Sequence, residues 1–442
     1  MLFRSDTTAK TWDAWVYHYD GVYYLYYLTS ERFPGDGFGV ATSPDGVNWS
    51  DHGRVLAPSD QMVRYLGSGS VWQDPLFAQT GRFLCNYSEW RKEGDTNVQH
   101  ILFAWSDDLL HWNKFDDSFI FQIDERFYKR INRDARGPWE DPRWDGICVV
   151  PRPEGGYYGY WTATPKDFLG FGFGMSLDGL HWEALEPPRI EWGDRPRMYF
   201  VEVGGVHEIG GQNYAMLADY ATVNCGMFNF VSAAPDGPFR PPARNYNLLR
   251  NQSKMHAYFT RFVDAPDGPL VVHHTLAEGQ FSDDHFVVYY APLKKALVVD
   301  GTLYLAWWKG NDRLKNREEN LTSAEQIRYE TDNGMVLEGE MNLPGRLMIH
   351  GGSGAGTGIL VNEKGITEVG PVEADWTDFT CRERVDREMT FGSSPRFRLL
   401  LNRNMLEFYL SDIFVQCYTM ETVPHGTISC QNVGNLKLWQ WK

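Results

Sequence analysis

SPDGVNW, residues 43–49, decides the fold, because its pattern returns as SDDLLHW at residues 106–112 and SLDGLHW at residues 176–182. Ser, Asp and Trp keep the same offsets in all three: Ser43, Asp45, Trp49; Ser106, Asp108, Trp112; Ser176, Asp178, Trp182. The copies start 63 and 70 residues apart, and a degenerate copy, SAAPDGPF from Ser232, follows 56 residues later. That spacing accommodates a four-stranded propeller blade better than a helical repeat, and no long amphipathic helical pattern lies between the copies. Outward from these turns the chain reads as hairpins. In DAWVYHYDGVYYLYYLTS, from Asp13, two β-rich runs flank the turn dipeptide Asp20-Gly21. GGYYGYWTATP, GGQNYAMLADY and DGTLYLAWW repeat the scheme of a turn followed by an aromatic strand. Residues 1–308 therefore read as a five-bladed β-propeller.

After Trp308 the texture changes. The charged stretch KGNDRLKNREENLTSAEQIRYE reads as a linker over residues 309–325, with strands resuming at 326–442 in MVLEGEMNL, RLMIHGG, FRLLLNRNMLEFYLSD and LKLWQWK. This second part reads as a β-sandwich. The expected architecture is all-β, a five-bladed β-propeller with a C-terminal β-sandwich, consistent with a 442-residue chain that exceeds one ordinary core.

Composition narrows the partners. Seventeen Trp, 23 Tyr and 26 Phe suit strand packing and stacking on sugar rings alike. A net charge of −16 disfavours nucleic acid and anionic membrane and fits a neutral ligand such as a carbohydrate. The six cysteines, Cys85, Cys148, Cys225, Cys381, Cys417 and Cys430, show neither metal-site spacing nor a disulfide framework and read as buried free thiols. No cofactor or metal is expected. MLFRSDTTAK lacks the apolar core of a signal peptide, and no apolar run is long enough to span a bilayer, so a soluble cytoplasmic protein is expected, or a secreted one whose leader has been removed.

Three acidic positions carry the chemistry. Asp13 lies between Trp12 and Trp15 at the start of the first hairpin, where an acidic residue ordinarily serves a turn or cap. Asp141 lies in WEDPRW, residues 139–144, where Pro142 biases it towards an extended conformation; Asp-Pro is also a common loop dipeptide. Glu202 is one charge inside the apolar run YFVEVGGV, a place where burial demands a reason. The inner strands of a propeller face a central funnel, so these three can converge. Glycoside hydrolysis needs one protonated carboxyl and one ionised carboxylate flanking the scissile bond, and an apolar setting would raise the pKa of Glu202 to suit a proton donor.

At these residues the chain resembles glycoside hydrolase family 32, the fructan hydrolases and invertases, and through it the related families 43 and 68. TWDAW corresponds to the family's Trp-Met-Asn-Asp-Pro motif, which implies Asp13 as nucleophile and Trp12 as pocket wall. FGVATS, residues 38–43, resembles the Trp-Gly-His-Ala-x-Ser strand and puts Phe38 at the substrate, while GSGS, residues 67–70, resembles Phe-Ser-Gly-Ser, with Ser68 as a sugar contact. Glu140-Asp141-Pro142 corresponds to Arg-Asp-Pro and implies Asp141 as transition-state stabiliser; Glu202-Val203-Gly204 corresponds to Glu-Cys-Pro and implies Glu202 as acid/base. The chain departs from the family in lacking the asparagine beside the nucleophile, in carrying Val40 for histidine, and in carrying Glu140 for the arginine that grips fructosyl hydroxyls. A changed substrate is the expectation from the last of these.

Trp139, Trp161, Trp144 and Trp90 are candidates for stacking on sugar faces or for packing between blades, and His256 in KMHAYFTRF is a candidate to reach the pocket from the fifth blade. The glycines of HGGSGAGTG lack a following Gly-Lys-Ser/Thr and read as a loop rather than a phosphate cradle. The leading reading is a retaining glycosidase, or transglycosylase, acting on a fructofuranoside or related furanoside. An inverting arabinofuranosidase-like enzyme and a non-catalytic glycan-binding propeller stand as alternatives.

Overall fold

The computed structural model describes residues 3–8, 10–30, 35–130, 142–219, 226–250, 257–278, 287–319, 321, 326–352 and 354–441. Among them strand predominates, and helix is confined to Phe77–Thr80 and two short 3-10 segments. Four separate antiparallel sheets follow one another along the chain. The first comprises Lys10–Tyr19, Val22–Ser30, Gly37–Ser43 and Ser50–Leu56 in sequential order. The second is built on Phe83–Glu93 and Thr96–Ser106, with Met62–Gly67 and Val71–Gln73 both pairing with Phe83–Glu93. Trp144–Pro151 leads the third and Glu202–Ile209 the fourth.

The hairpins form for the reason their sequence gives. Asp20 (φ 48°) and Gly21 (φ 77°) both adopt the left-handed backbone that a two-residue primed turn requires, and Tyr19 pairs directly with Val22. The Ser-Asp repeat closes the outer end of each sheet. In the third sheet the Asp178 carboxylate accepts the backbone N–H groups of Leu180 (2.9 Å) and His181 (2.8 Å) and the Ser176 hydroxyl (3.1 Å). Asp45 and Asp108 repeat these bonds with Val47 and Asn48, and with Leu110 and His111. The repeat is therefore a turn device, an Asx-type cap that satisfies otherwise orphaned amides.

The apolar cores lie between neighbouring sheets, which is what makes the arrangement propeller-like. Trp15, Tyr26 and Phe38 of the first sheet pack with Cys85, Tyr87 and Leu102 of the second. Trp72, Ile101 and Phe103 of the second pack with Trp144, Ile147 and Trp161 of the third, and Tyr160 and Phe173 of the third pack with Val203, Val206 and Leu217 of the fourth. The ring returns to its start near Tyr290, whose backbone bridges to Phe3 and whose hydroxyl donates to the Trp12 carbonyl (2.7 Å).

The expectation of five separate blades and a separate sandwich needs correction. The strands from Ala257–Val263 onward form one continuous 15-stranded sheet. Thr302–Trp307, which would otherwise present a bare outer edge, pairs with Ile413–Thr419 through Ala306 and Ile413, and the Trp307 N–H donates to the Asp412 carbonyl (2.7 Å). Within that sheet the C-terminal strands enclose a core of their own, built on Leu337, Leu347, Ile359, Leu399, Phe408 and Leu438. Of the cysteines, Cys85 and Cys417 are buried free thiols, Cys148 and Cys430 are half-buried, Cys381 is exposed, and Cys225 lies outside the described residues.

Candidate active site

Each sheet's leading strand breaks register where it approaches the site. The shifts fall between Thr11 and Ala14, Met62 and Leu66, Asp145 and Cys148, Val203 and Gly205, and Tyr258 and Arg261. A bulge re-aims side chains that strict alternation would place elsewhere. The last of these shifts contains Phe259 at φ 48°, a left-handed conformation costly for an aromatic residue and held where Tyr258 and Arg261 must both turn inward.

These breaks gather a buried cluster of three carboxylates and two guanidinium groups. Asp13 and Glu202 each keep only 9% of their surface exposed, and Asp145, Arg143 and Arg261 keep less. Glu202 accepts the Tyr258 hydroxyl on Oε2 (2.6 Å) and meets Arg143 Nη2 on Oε1 (3.4 Å). Arg143 also pairs with Asp145, and Asp145 accepts the Ser88 hydroxyl. Gln99 fixes this side: its Oε1 accepts Arg143 Nε (3.3 Å) and the Trp144 backbone N–H (3.1 Å), while its Nε2 donates to Ser88 (3.0 Å). On the other side Arg261 Nη1 donates to the carbonyls of Val203 (3.1 Å) and Gly204 (2.7 Å), and Nη2 donates to the Ser68 hydroxyl (3.3 Å). Gly146, at φ 51°, lets the strands close up, since a Cβ there would stand 2.6 Å from the Ser68 carbonyl.

The electrostatics differ from group to group. Burial pushes Asp13 well above the usual carboxylate range, and the neighbouring Glu202 and Asp145 charges push the same way, against Arg261 and Arg143. Glu202 is also raised by burial, with Arg143 and the Tyr258 hydrogen bond opposing it. Arg261 is lowered, chiefly by burial. Both carboxyls therefore hold a proton more tightly than exposed carboxyls do, Glu202 while hydrogen-bonded and Asp13 with a bare oxygen. Asp13 Oδ1 has no hydrogen-bond partner among the described residues.

The structure thus brings together Asp13, Glu202 and Ser68 from the sequence expectations, with Trp12 half-buried next to Asp13. Asp141, Trp139, Glu140 and His256 lie outside the described residues. Two expected substrate contacts are corrected. Phe38 is fully buried between the first two sheets, its ring 5.4 Å from Trp15 and 5.9 Å from Tyr26. Trp161 is likewise fully buried, edge-on to Trp144 (5.0 Å) and Phe121 (5.1 Å), because a large ring at that register fills the space between the second and third sheets. Trp90 and Trp144 are also core residues.

Sequence reading passed over Arg143, Asp145, Tyr258, Arg261 and His274. Arg143 stands inside WEDPRW itself. The signal that singled out Glu202, one polar or charged group in an apolar run, is equally present for Arg261 in AYFTRFV and for His274 in LVVHHTL. Among the described residues no group of three or more His, Cys, Asp or Glu side chains is arranged to hold a metal ion.

Residues 13–155 match the family model described as Glycosyl hydrolases family 32 N-terminal domain. No curated protein matches the chain. Among solved structures it is similar to sucrose-6-phosphate hydrolase from Lactobacillus gasseri, with a TM-score of 0.69 and 16% identity over 96% of this chain and 89% of that one. A GH32 beta-fructofuranosidase from Bombyx mori gives a TM-score of 0.69 at 12% identity, over 100% of this chain and 93% of that one. Fructan 1-exohydrolase IIa from Cichorium intybus, in complex with 1-kestose, gives 0.69 at 12% identity, over 100% and 97%.

Proposed function

We propose, from a chain that carries a glycosyl hydrolases family 32 N-terminal domain over residues 13–155, that this protein is a retaining glycoside hydrolase acting on fructofuranosides or closely related furanosides. The observation that carries the proposal is the pair of buried carboxyls Asp13 and Glu202, gathered with Arg143 and Arg261 beside the bulges of two leading strands. Asp13 is the nucleophile and Glu202 the acid/base. The Asp13 carboxylate attacks the anomeric carbon as the bond to the leaving oxygen breaks, and the proton of Glu202 passes to that oxygen. Glu202, now ionised, takes a proton from water; the water oxygen bonds to the anomeric carbon and Asp13 is released. A sugar hydroxyl in place of water gives transglycosylation. Asp141, at the Asp-Pro position, is assigned as stabiliser of the oxocarbenium-like transition state.

The raised proton affinity of Glu202 supports the acid role, since burial favours the protonated form while Tyr258 orients the carboxyl. Arg143 and Arg261 offset part of the negative charge, which keeps the site from expelling a second carboxylate. The substrate is a carbohydrate, held with Trp12 as pocket wall and Ser68 as hydroxyl contact. In this reading residues 1–308 act as the catalytic part, with the strands from Ala257 to Trp307 completing it as the near end of the continuous sheet, 309–325 as linker and 326–442 as the C-terminal part.

Release of fructose from sucrose, 1-kestose and aryl fructofuranosides tests the assignment. Wild type should cleave at least one of them with net retention, read by NMR of the first-formed product. Glu202→Ala should lose about 100- to 10,000-fold in kcat, least with the aryl leaving group, which needs no proton. A wild type inert towards all of them, or activity unchanged in Glu202→Ala, refutes the assignment.

A further inference from the structure

His274 stands in the strand Leu270–Glu278, paired with Tyr258 on one side and Tyr290 on the other. It is fully buried, and neither ring nitrogen has a hydrogen-bond partner among the described residues. Polar groups buried without a partner are rare and costly, so this one calls for a physical reason. Its Nδ1 lies 3.7 Å from Asp13 Oδ1, the one site carboxylate oxygen that is likewise buried and bare. The ring is held in place by Trp12, centroids 4.5 Å apart, and by Tyr258 at 5.9 Å, the residue that orients Glu202. Two unsatisfied groups therefore face each other at a distance just beyond a hydrogen bond, and catalytic hydrogen bonds commonly tighten only when substrate is bound.

We propose that His274 is a positioning residue for the nucleophile: with substrate in place its Nδ1–H donates to Asp13 Oδ1 and holds the other carboxylate oxygen in line with the anomeric carbon. This rests on the assignment of Asp13 as nucleophile. Full burial keeps the imidazole from the substrate, so it acts through Asp13 alone. Burial, reinforced by the neighbouring His273, lowers its pKa to about 3, so the ring is neutral at working pH and donates from one nitrogen without adding charge. Glu202 and Asp145 face Asp13 and raise its proton affinity, while Arg261 and Arg143 lower it. His273 lies next to His274 in the strand, its Nδ1 within 3.0 Å of the His274 carbonyl. A donor to the ionised form of Asp13 adds to the lowering influences, so its removal must move the Asp13 titration upward.

His274→Leu removes the donor, and His274→Asn returns an N–H near the Nδ1 position. The Leu variant should lose about 10- to 100-fold in kcat, the cost of a misplaced reacting group, with KM within about twofold of wild type. Its acidic limb of kcat should move to higher pH, and Asn should restore both the rate and the limb. Carbon-13 NMR of labelled aspartate carboxyls, with Asp13 assigned through Asp13→Asn, reads the pair with fructose saturating the site: the Asp13 titration should rise in Leu and return in Asn. An unmoved Asp13 titration, or equal losses in Leu and Asn with unmoved pH limbs, overturns the proposal and leaves a packing role. If wild type cleaves no fructoside while the titration still moves, the nucleophile assignment fails and the His274–Asp13 pairing stands.

Discussion

Two buried charge clusters sit on opposite sides of His273 and His274, and they are built to opposite ends. Towards the C-terminal strands, Glu407 accepts Lys294 Nζ (2.5 Å) and the Tyr409 hydroxyl (2.6 Å), with His273 Nε2 3.6 Å away. Lys294 also donates to the Pro292 carbonyl (2.9 Å). Burial pushes Glu407 up, but Lys294 and His273 outweigh it and hold the carboxylate at about 2. Towards the funnel, Asp13 is also buried, lacks a hydrogen-bond partner on one oxygen among the described residues, and is pushed well above the ordinary range. The saturated cluster ties the Lys294–Val299 strand to the Met405–Leu410 strand. The unsaturated one keeps a carboxyl with an unbonded oxygen, which in the proposed reading finds its partner only when substrate arrives.

Exchanging the substitutions between the clusters is the sharpest way to break this comparison. Asp13→Asn should cost on the order of 10,000-fold in kcat, since a nucleophile is removed outright, yet leave the thermal midpoint no lower than wild type. Steady-state assay and calorimetry on one preparation check both halves. Glu407→Gln should do the reverse. It leaves the Lys294 ammonium buried and uncompensated, at a cost of about 3–5 kcal/mol in urea unfolding, while the folded fraction keeps its activity. If Asp13→Asn destabilises as much as Glu407→Gln, the two clusters do not differ in kind.

The pH dependence carries opposite signs on the two sides. Glu407 is depressed from an ordinary value of 4.5 to about 2, so its contribution is complete above about 4.5 and fades as pH falls towards 2. Asp13 and Glu202 are raised, so theirs is present in acid, below the ordinary carboxylate range, and is lost as pH rises through their folded values. In Glu407→Gln the loss of stability on going from pH 6 to pH 3 should be smaller than in wild type. In Asp13→Asn the stability lost between acid and neutral pH should shrink. Urea midpoints across pH 3 to 8 separate the two.

Much of this was legible in the chain and part was not, for physical reasons. Ser43, Asp45 and Trp49 recur because a turn's amide groups must be satisfied locally, and local rules leave a periodic trace. Asp20-Gly21 likewise announces its hairpin through backbone sterics. Whether the fifth set of strands stands free is decided instead by one long-range pairing, Ala306 with Ile413, which no local pattern encodes. In the site, Glu202 stood out as one charge in an apolar run, and Asp13 through its place between Trp12 and Trp15 and the family motif that TWDAW resembles. Asp145 did not, because the register shift between it and Cys148 breaks the alternation that tells inward from outward side chains. Phe38 and Trp161 were misread in the other direction: an aromatic ring has the same signature whether it meets a sugar or the next sheet.

The Ser-Asp turns supply the smallest test and fix the scale for the others. Asp178 is acidic like Asp13 and depressed like Glu407; burial would raise it, but the His181 side chain and the backbone N–H groups of His181 and Leu180 hold it at about 2. Its side chain is half exposed, so water replaces most of what a deletion removes. Asp178→Ala should therefore cost only about 1 kcal/mol in urea unfolding, the worth of a cap, and leave kcat/KM within about twofold. A loss approaching that of Glu407→Gln would mean that the outer turns, and not the cluster around Glu407, hold the sheets in place. A cost near 1 kcal/mol would place the three acidic groups in the order their surroundings dictate. An exposed carboxylate capped by amides is nearly dispensable, a buried one with a lysine is needed for the fold, and a buried one facing an unbonded imidazole is needed only for the reaction.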